Sequence, residues 1–431
     1  MLKHVSLAAA VLALSGAVLL TPGCGKNDSG TNSTPTVITV TGKVVGPTGQ
    51  PVVGIPVFVG TLPSVVSDAT GSFTIPNVTT PYTITAVDGL QKMGIVFVGL
   101  TRSDPVLTFF LTPSGTALSA TLSGTISGGT AFPEPLSHKT GVAFVSPEIT
   151  TTGTALSATG GYSMTPNWFG PATTTGTIHA LQWQFDGSVL PVTYKGYGTK
   201  ASVALSNGGT FAAQNVVMSP IAQTSVSGSV VPPAGYAVSS KSVVVLLGTS
   251  GGISIVSDGT STATFTYNTP NIASATLRLT GAATKSPYQA SAFKVGVPLN
   301  GINQTITIPA APEYSLPIAA ATGVTDTTRF AWTAFANGVH LVLFSGGAGQ
   351  PVYQVVTSET TAKIPNLSSV GLVLPAAATY SWRIIGIAPF SSIDQAAGVG
   401  LFSGIVAGAA VDGAFGTAGF SGGARTFTTA P

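Results

Sequence analysis

The thiol of Cys24 is the only one in the 431-residue chain, so the most specific chemistry on offer rests on one side chain. A lone cysteine makes no internal disulfide and staples no fold. It ends the stretch LLTPGC, after an apolar run from Val5 to Leu20 broken only by Ser6, Ser15 and Gly16 and before the polar GKNDSGTNSTPT. A thiol at that boundary has one ready use, as the attachment point of a lipid through a thioether. The other reactive types are scattered. His138, His179 and His340 lie far apart, with no H-x-H or H-E-x-x-H spacing, and read as exposed or strand-face histidines rather than metal ligands. Asp and Glu number 13, with no close pair suited to glycosidic cleavage. Asp68 and Asp258 fall in turns, where a carboxylate caps its own backbone; neither has the spaced oxygen ligands of a calcium loop. There is no G-x-S-x-G elbow followed by a helix pattern, and no P-loop. The expectation is a protein that is not an enzyme and takes no metal and no cofactor.

Aromatic side chains are the remaining candidates for binding. Trp168, Phe169, Trp183, Phe185, Tyr194 and Tyr197 crowd one region. In HALQWQFDG, Leu181, Trp183 and Phe185 alternate with Gln182, Gln184 and Asp186. That is a strand with one inward face, so these three read as core. Trp168 and Phe169 stand beside Asn167 and Pro171 in an expected loop. They are the residues best placed to stack on a ligand, a carbohydrate ring above all.

The elements that would position Cys24 come next. Lys3 opens a short basic start, and the apolar run that follows is about 16 residues, short of the roughly 20 that span a bilayer. Basic start, apolar core and small residues are the layout of a secretory signal. Pro22 and Gly23 end any helix just before Cys24 and leave it extended. The arrangement resembles a bacterial lipoprotein signal peptide, residues 1–23, cut before the cysteine. Gly23 fits that pattern. Thr21 stands where a leucine is typical, and Pro22 is unusual. The resemblance implies a Cys24 carrying a diacylglycerol and a further acyl chain of the palmitate type, hence a membrane partner reached through a lipid anchor. Gly25 after the cysteine resembles an outer-membrane address in enteric-type sorting. Ordinary secretion, with Cys24 free or removed, is the alternative reading. Residues 24–36 then form the lipidated cysteine and a flexible tether of Gly, Ser, Asn and Thr.

Composition narrows the rest. Charged residues make up 7% of the chain, against about 25% in an ordinary soluble domain. The net charge is +3, but no Lys/Arg cluster exists, so nucleic-acid binding is excluded. A surface of Thr, Ser, Asn, Gln and Gly suits an extracytoplasmic protein. Segments such as TVITVTGKVV, SFTIPNV and YTITAVDG have period two and are separated by Pro, Gly, Asn and Asp, which predicts strands almost throughout. No amphipathic helix stands out beyond the leader.

Two phrases recur. VTGKVVGP (40–47), LSGTISGG (122–129) and VSGSVVPP (226–233) read as the opening strands of three successive units. SDATGSFTIPNV (67–78), SATGGYSMTPN (157–167) and SDGTSTATFTYNTPN (257–271) each read as a tight turn that delivers an aromatic, Phe73, Tyr162 or Phe265, inward. GKVVGPTGQPVVGIPVFVG followed by SDATGSFTIPNVTTPYTITAVDG resembles the carboxypeptidase regulatory-like family, which implies a transthyretin-like β-sandwich over residues 37–115. Pro56 belongs at a strand start or edge there. Residues 117–221, which carry an insertion, and 223–310 resemble the same family more weakly. Residues 312–431 resemble a fibronectin type III domain through Trp332, Leu367 and Tyr380-Ser-Trp382-Arg, with TFTT (426–429) closing the sandwich and 386–425 a long loop excursion. Such modules are non-catalytic stalks or adhesin-like units.

The fold class expected is therefore all-β, tandem β-sandwiches after a signal and tether. The expected function is a non-catalytic, lipid-anchored cell-envelope protein, a structural stalk or a binding and adhesion module with a protein or glycan ligand. The alternatives are a carbohydrate-binding envelope protein and a secreted hydrolase with an unrecognised site. With a core in each unit, the sandwiches are expected to be independent, so that Phe73→Ala unfolds only the first.

Overall fold

The computed structural model describes residues 35–46, 49–109, 117–129, 138–156, 159–185, 190–248, 251–401, 411–419 and 423–431. The expected leader, Cys24 and nearly all of the tether lie outside these. The fold is all-β, arranged as several packed sheets. In the first unit, the strand Val37–Val45 lies between Ser72–Thr79 and Val106–Thr108. The facing sheet runs Val65–Val66, Pro56–Val59, Tyr82–Asp88, Met93–Leu100. Alternation sets the faces: Val57, Val59, Phe73, Ile75, Tyr82 and Ile84 are all buried between the sheets.

The recurring phrases have a common geometry. Each opening strand pairs antiparallel with the aromatic-bearing strand, so that a glycine faces the ring: Gly42 opposite Phe73, Gly124 opposite Tyr162, Gly228 opposite Phe265. Each also pairs in parallel with a later strand of its unit: Val106–Thr108, Val216–Met218 and Gln304–Thr307. The glycine makes both approaches fit. A Cβ on Gly42 would lie 2.4 Å from Phe73 Cζ and 2.5 Å from the Pro105 carbonyl. On Gly228 it would lie 1.9 Å from the Gln304 carbonyl and 2.9 Å from Phe265 Cζ. A backbone atom cannot turn aside as a side chain can. Gly228→Ala is therefore expected to cost about 1–3 kcal/mol, the price of overpacking. Gly89→Ala, whose Cβ meets nothing within 4 Å, is expected to stay within about 0.5 kcal/mol of wild type. Urea melts of the two variants check this, and equal midpoints would refute it.

The last unit builds its core around aromatics. Trp332, on the strand Phe330–Trp332, packs against Trp382, on Thr379–Ala388, with ring centroids 6.4 Å apart. Phe330 meets Trp382, Phe344 and Phe427 edge-on at 4.7–5.3 Å, the arrangement ring quadrupoles favour. The strand Arg425–Thr429 closes this sandwich against Thr379–Trp382. Residues 386–425 are not one loop. They hold the helix Ile393–Val399, capped by Ser392, and the strand Gly413–Ala418. Its small residues, Gly413, Ala414, Gly416 and Ala418, hid that strand, because its pairing comes from neighbours on both sides and not from its own propensity.

That strand also overturns the expectation of independent sandwiches. Gly413–Ala418 pairs with Ile384–Ala388 of its own unit on one edge and with Tyr288–Phe293 of the third unit on the other. At the far side of the last unit, Val352–Val356 pairs in parallel with Met93–Phe97 of the first. Sheets of the first, third and last units thereby merge into one sheet of 14 strands. The apolar cores merge with them: Phe73, Ile95 and Phe97 share a cluster with Val339, Leu341, Ile387 and the helix residues Ile393, Ala396 and Ala397. The second unit joins by face packing, with Leu181, Trp183 and Tyr194 in one cluster with Val245 and Ile253 of the third. The spatial order is second, third, last, first.

Candidate functional site

The densest set of polar chemistry among the described residues lies inside the third unit. Lys241, on Ala237–Leu247, stands directly opposite Asp258, at the end of Gly251–Asp258. Both are buried. The Lys241 ammonium lies 3.2 Å from Asp258 Oδ2 and donates to the Thr260 carbonyl at 2.9 Å, Thr260 Oγ1 at 3.1 Å and the Thr262 carbonyl at 2.8 Å. Tyr267 donates its hydroxyl to Asp258 Oδ2 at 2.5 Å, and the Thr260 N–H donates to Oδ1 at 2.8 Å. Burial alone raises the Asp258 carboxyl, but the hydrogen bonds from Tyr267, Thr260 and Lys241 prevail and bring it down to about 2. The Tyr267 hydroxyl is raised, first by burial and then by its bond to Asp258. At neutral pH this is an ammonium and a carboxylate, each surrounded by partners. A lysine so bound is no nucleophile, and a carboxyl near 2 is a poor general base. The cluster pins the turn 258–262 against the sheet.

Asp68 repeats the turn half of this device in the first unit. Its Oδ1 accepts from the Thr70 N–H and hydroxyl and from the Ser72 N–H at 2.7–2.9 Å. Those bonds, Thr70 first, hold its carboxyl below the usual range. Both aspartates cap turns, as their position in the recurring phrase predicts.

The histidines do not meet. His138 starts a strand opposite Gln184. His179 Nδ1 pairs with the Tyr197 hydroxyl at 2.7 Å, and burial lowers its imidazole to about 4. His340 is buried under Trp332, accepts the Phe335 N–H at Nε2, 3.0 Å, and is likewise lowered by burial to about 4. Both are neutral at pH 7 and serve packing.

Trp168 is not an exposed platform. It lies in the short strand Asn167–Trp168, paired with Leu118–Ser119, and is 1% exposed, with its indole N–H donating to the Pro171 carbonyl at 2.9 Å. An alternation of inward residues continues through it from Tyr162 and Met164, and that signal was readable. Phe169, next along, is half-buried. Trp183, Phe185, Tyr194 and Tyr197 face the neighbouring unit. Trp183 and Tyr194 lie in the cluster shared with the third unit, and Tyr194 donates to the Asn268 carbonyl at 3.1 Å. Cys24 lies outside the described residues.

The contacts that the sequence reading missed lie at the seams. Asp394, in the helix Ile393–Val399, accepts at Oδ1 from the backbone N–H of Thr101, 2.8 Å, and of Arg102, 3.2 Å, and at Oδ2 from the Thr101 hydroxyl. Arg102 returns a bond to the Asp394 carbonyl at 2.5 Å. Leu401 N–H donates to Thr108 Oγ1 at 3.0 Å. Partners almost 300 positions apart leave no local signal. A cavity of about 360 Å³ opens at one end of the third unit, lined by Thr224, Asn271, Thr276, Pro298, Leu299 and Asn300, and carries no titratable group.

No family model matches the chain, and no curated protein matches it in sequence. Among solved structures it is similar to the Bacillus anthracis TIE protein, at 11% identity and TM-score 0.16 over 63% of this chain and 50% of that one. It is similar to BcpA, the major pilin subunit of Bacillus cereus, at 10% identity and TM-score 0.14 over 63% and 99%. It is similar to a putative cell adhesion protein from Parabacteroides distasonis, at 9% identity and TM-score 0.15 over 56% and 99%. The chain spans half the length of the first of these. No functional conclusion rests on superpositions this loose.

Proposed function

We propose that this protein is a non-catalytic, lipid-anchored module of the cell envelope, a stalk or adhesion unit that presents one rigid β body at the end of a short tether. The observation that carries the reading is the continuous sheet of 14 strands joining three of the four sandwiches. A catalytic scaffold needs a cleft between mobile parts or a pocket with convergent polar groups. Here the units share apolar clusters across their seams, the polar contacts of Asp394 tie one element to another, and the strongest polar cluster is used in holding a turn. Rigidity suits a spacer or a display platform. The LLTPGC boundary supports a lipid on Cys24, and the polar segment 25–36 supports a tether between anchor and body.

The test is fractionation with mass analysis. The wild-type protein is expected in the membrane fraction, with its mature N-terminus at Cys24 and the added mass of a diacylglycerol. Cys24→Ser is expected to abolish that mass and that cut and to move the protein out of the membrane fraction. Cleavage elsewhere without acyl mass would sink the anchored reading and leave plain secretion. A hydrolytic activity abolished by one Asp or Glu change would sink the non-catalytic one.

A further inference from the structure

The seam between the third and last units ends at a surface cluster of aromatic and charged side chains, whose two tyrosines also pack against the cores beneath. The hairpin Lys285–Tyr288 leads into the seam strand Tyr288–Val297, whose Tyr288 pairs with Ala418. Lys285 Nζ lies 2.7 Å from Glu313 Oε1 and 5.8 Å from the Tyr288 ring centroid. Tyr288 and Tyr314 have centroids 6.3 Å apart, inclined at 45°. The Arg425 guanidinium lies 4.7 Å over Tyr314 and donates through Nη1 to the Pro317 carbonyl at 2.8 Å. All five residues are partly buried.

Exposed ion pairs and exposed cation–π contacts contribute about 0–1 kcal/mol each. The seam beside them already has six paired residues and an apolar core. Yet a chain with only 7% charged residues gathers two cations and one carboxylate around two tyrosines here. Tyr and Arg are the residue types that carry recognition at surfaces. An arginine held over a ring keeps its planar fork ordered for a carboxylate. Tyr288 beside it offers an aromatic face at low entropic cost, and the Lys285–Glu313 pair offers a donor and an acceptor for hydroxyl groups. Among the described residues, no deep apolar pocket lies at this patch to receive the side-chain anchor of a protein partner.

We propose that this patch binds an acidic polysaccharide, with a uronate carboxylate on Arg425, the sugar ring against Tyr288, and its hydroxyls on Lys285 and Glu313. The inference draws on the envelope reading only for access to such a polymer, and its test reads the patch alone. Purified full-length chain would be titrated calorimetrically with oligogalacturonate, its methyl ester, and uronate oligomers of the alginate and hyaluronan types. At least one uronate oligomer is expected to bind, more weakly as salt rises, and the methyl ester is expected to bind about tenfold more weakly than its acid. Arg425→Lys keeps the charge and loses the fork, and is expected to lose about tenfold in affinity. Tyr288→Ser, which leaves the net charge unchanged, is expected to lose as much, while Lys200→Gln, on another unit, changes nothing. Thermal melts of each variant separate lost binding from lost folding. Failure of every uronate oligomer to bind, equal binding of acid and ester, or unchanged binding by both patch variants overturns the proposal. Binding of polyglutamate alone also overturns it and assigns the patch to an acidic protein.

Discussion

Phe97→Ala, a change confined to the first sandwich, is expected to unfold the third and last sandwiches with it. Phe97 is fully buried on Met93–Leu100 and pairs across the seam with Val356. Its ring belongs to the cluster that contains Val339, Leu341 and Ile387 of the last unit and Phe293 of the third. Removing a buried phenylalanine typically costs about 3–5 kcal/mol, a large part of the roughly 5–15 kcal/mol a domain holds. The lost contacts belong to both sides of the seam, so the loss is shared. The reporter is built in. The first unit has no tryptophan, and Trp332 and Trp382 lie in the core of the last. Indole emission during a urea titration therefore reads the units that were not mutated. One transition, shifted to lower urea, is expected by both emission and circular dichroism. An emission midpoint equal to wild type, with only the dichroism moving, would return the sandwiches to independence.

Much of the fold was legible because its signals are local. Period-two alternation in TVITVTGKVV and YTITAVDG fixes which residues face inward, and the turn chemistry of Asp68 and Asp258 needs only residues two to four positions away. The repeated glycine was visible as a repeat. Its reason was not, since Gly228 is required by the Gln304 carbonyl, far along the chain. The seams were illegible for the same cause. Gly413–Ala418 has the composition of a loop and becomes a strand because two strands already flank it. Val352–Val356 reads as an ordinary buried strand, and nothing in it says that its second edge belongs to Met93–Phe97. Trp168 misled because Asn167 and Pro171 suggested a loop, while the alternation from Tyr162 onward pointed inward. Trp183, Phe185, Tyr194 and Tyr197 have a use that neither core nor platform describes, the face between two sandwiches.

Lys241→Met is expected to destabilise the protein by about 3–5 kcal/mol, the cost of leaving one member of a buried ion pair without the other. The substitution keeps the apolar stem and removes the ammonium, so Asp258 Oδ2 retains only the Tyr267 hydroxyl. The Thr260 and Thr262 carbonyls lose their donor as well, and the turn they form is released. Acid gives an independent reading. Asp258 is depressed in the folded state to about 2, below the roughly 3.9 of a free aspartate. Its contribution is complete above the unfolded value and is lost as pH falls from about 4 towards 2. In Lys241→Met the carboxylate keeps its burial and loses its cation, so its folded value rises. The depression shrinks or reverses, and the stability difference between wild type and variant narrows as the carboxyl is protonated. Chemical melts between pH 7 and pH 2 are expected to show a gap of several kcal/mol at neutral pH that narrows in acid. Asp258→Asn removes the charge at nearly constant shape: Oδ1 still accepts the Thr260 N–H, the new amide NH2 no longer accepts from Tyr267, and the ammonium loses its counter-charge while keeping its bonds to Thr260 and Thr262. Its loss at neutral pH is expected to be of the same order, and the double variant Lys241→Met, Asp258→Asn is expected to lose less than the sum of the two. Strict additivity would mean that the two side chains hold the turn separately and that the pair, as a pair, contributes nothing.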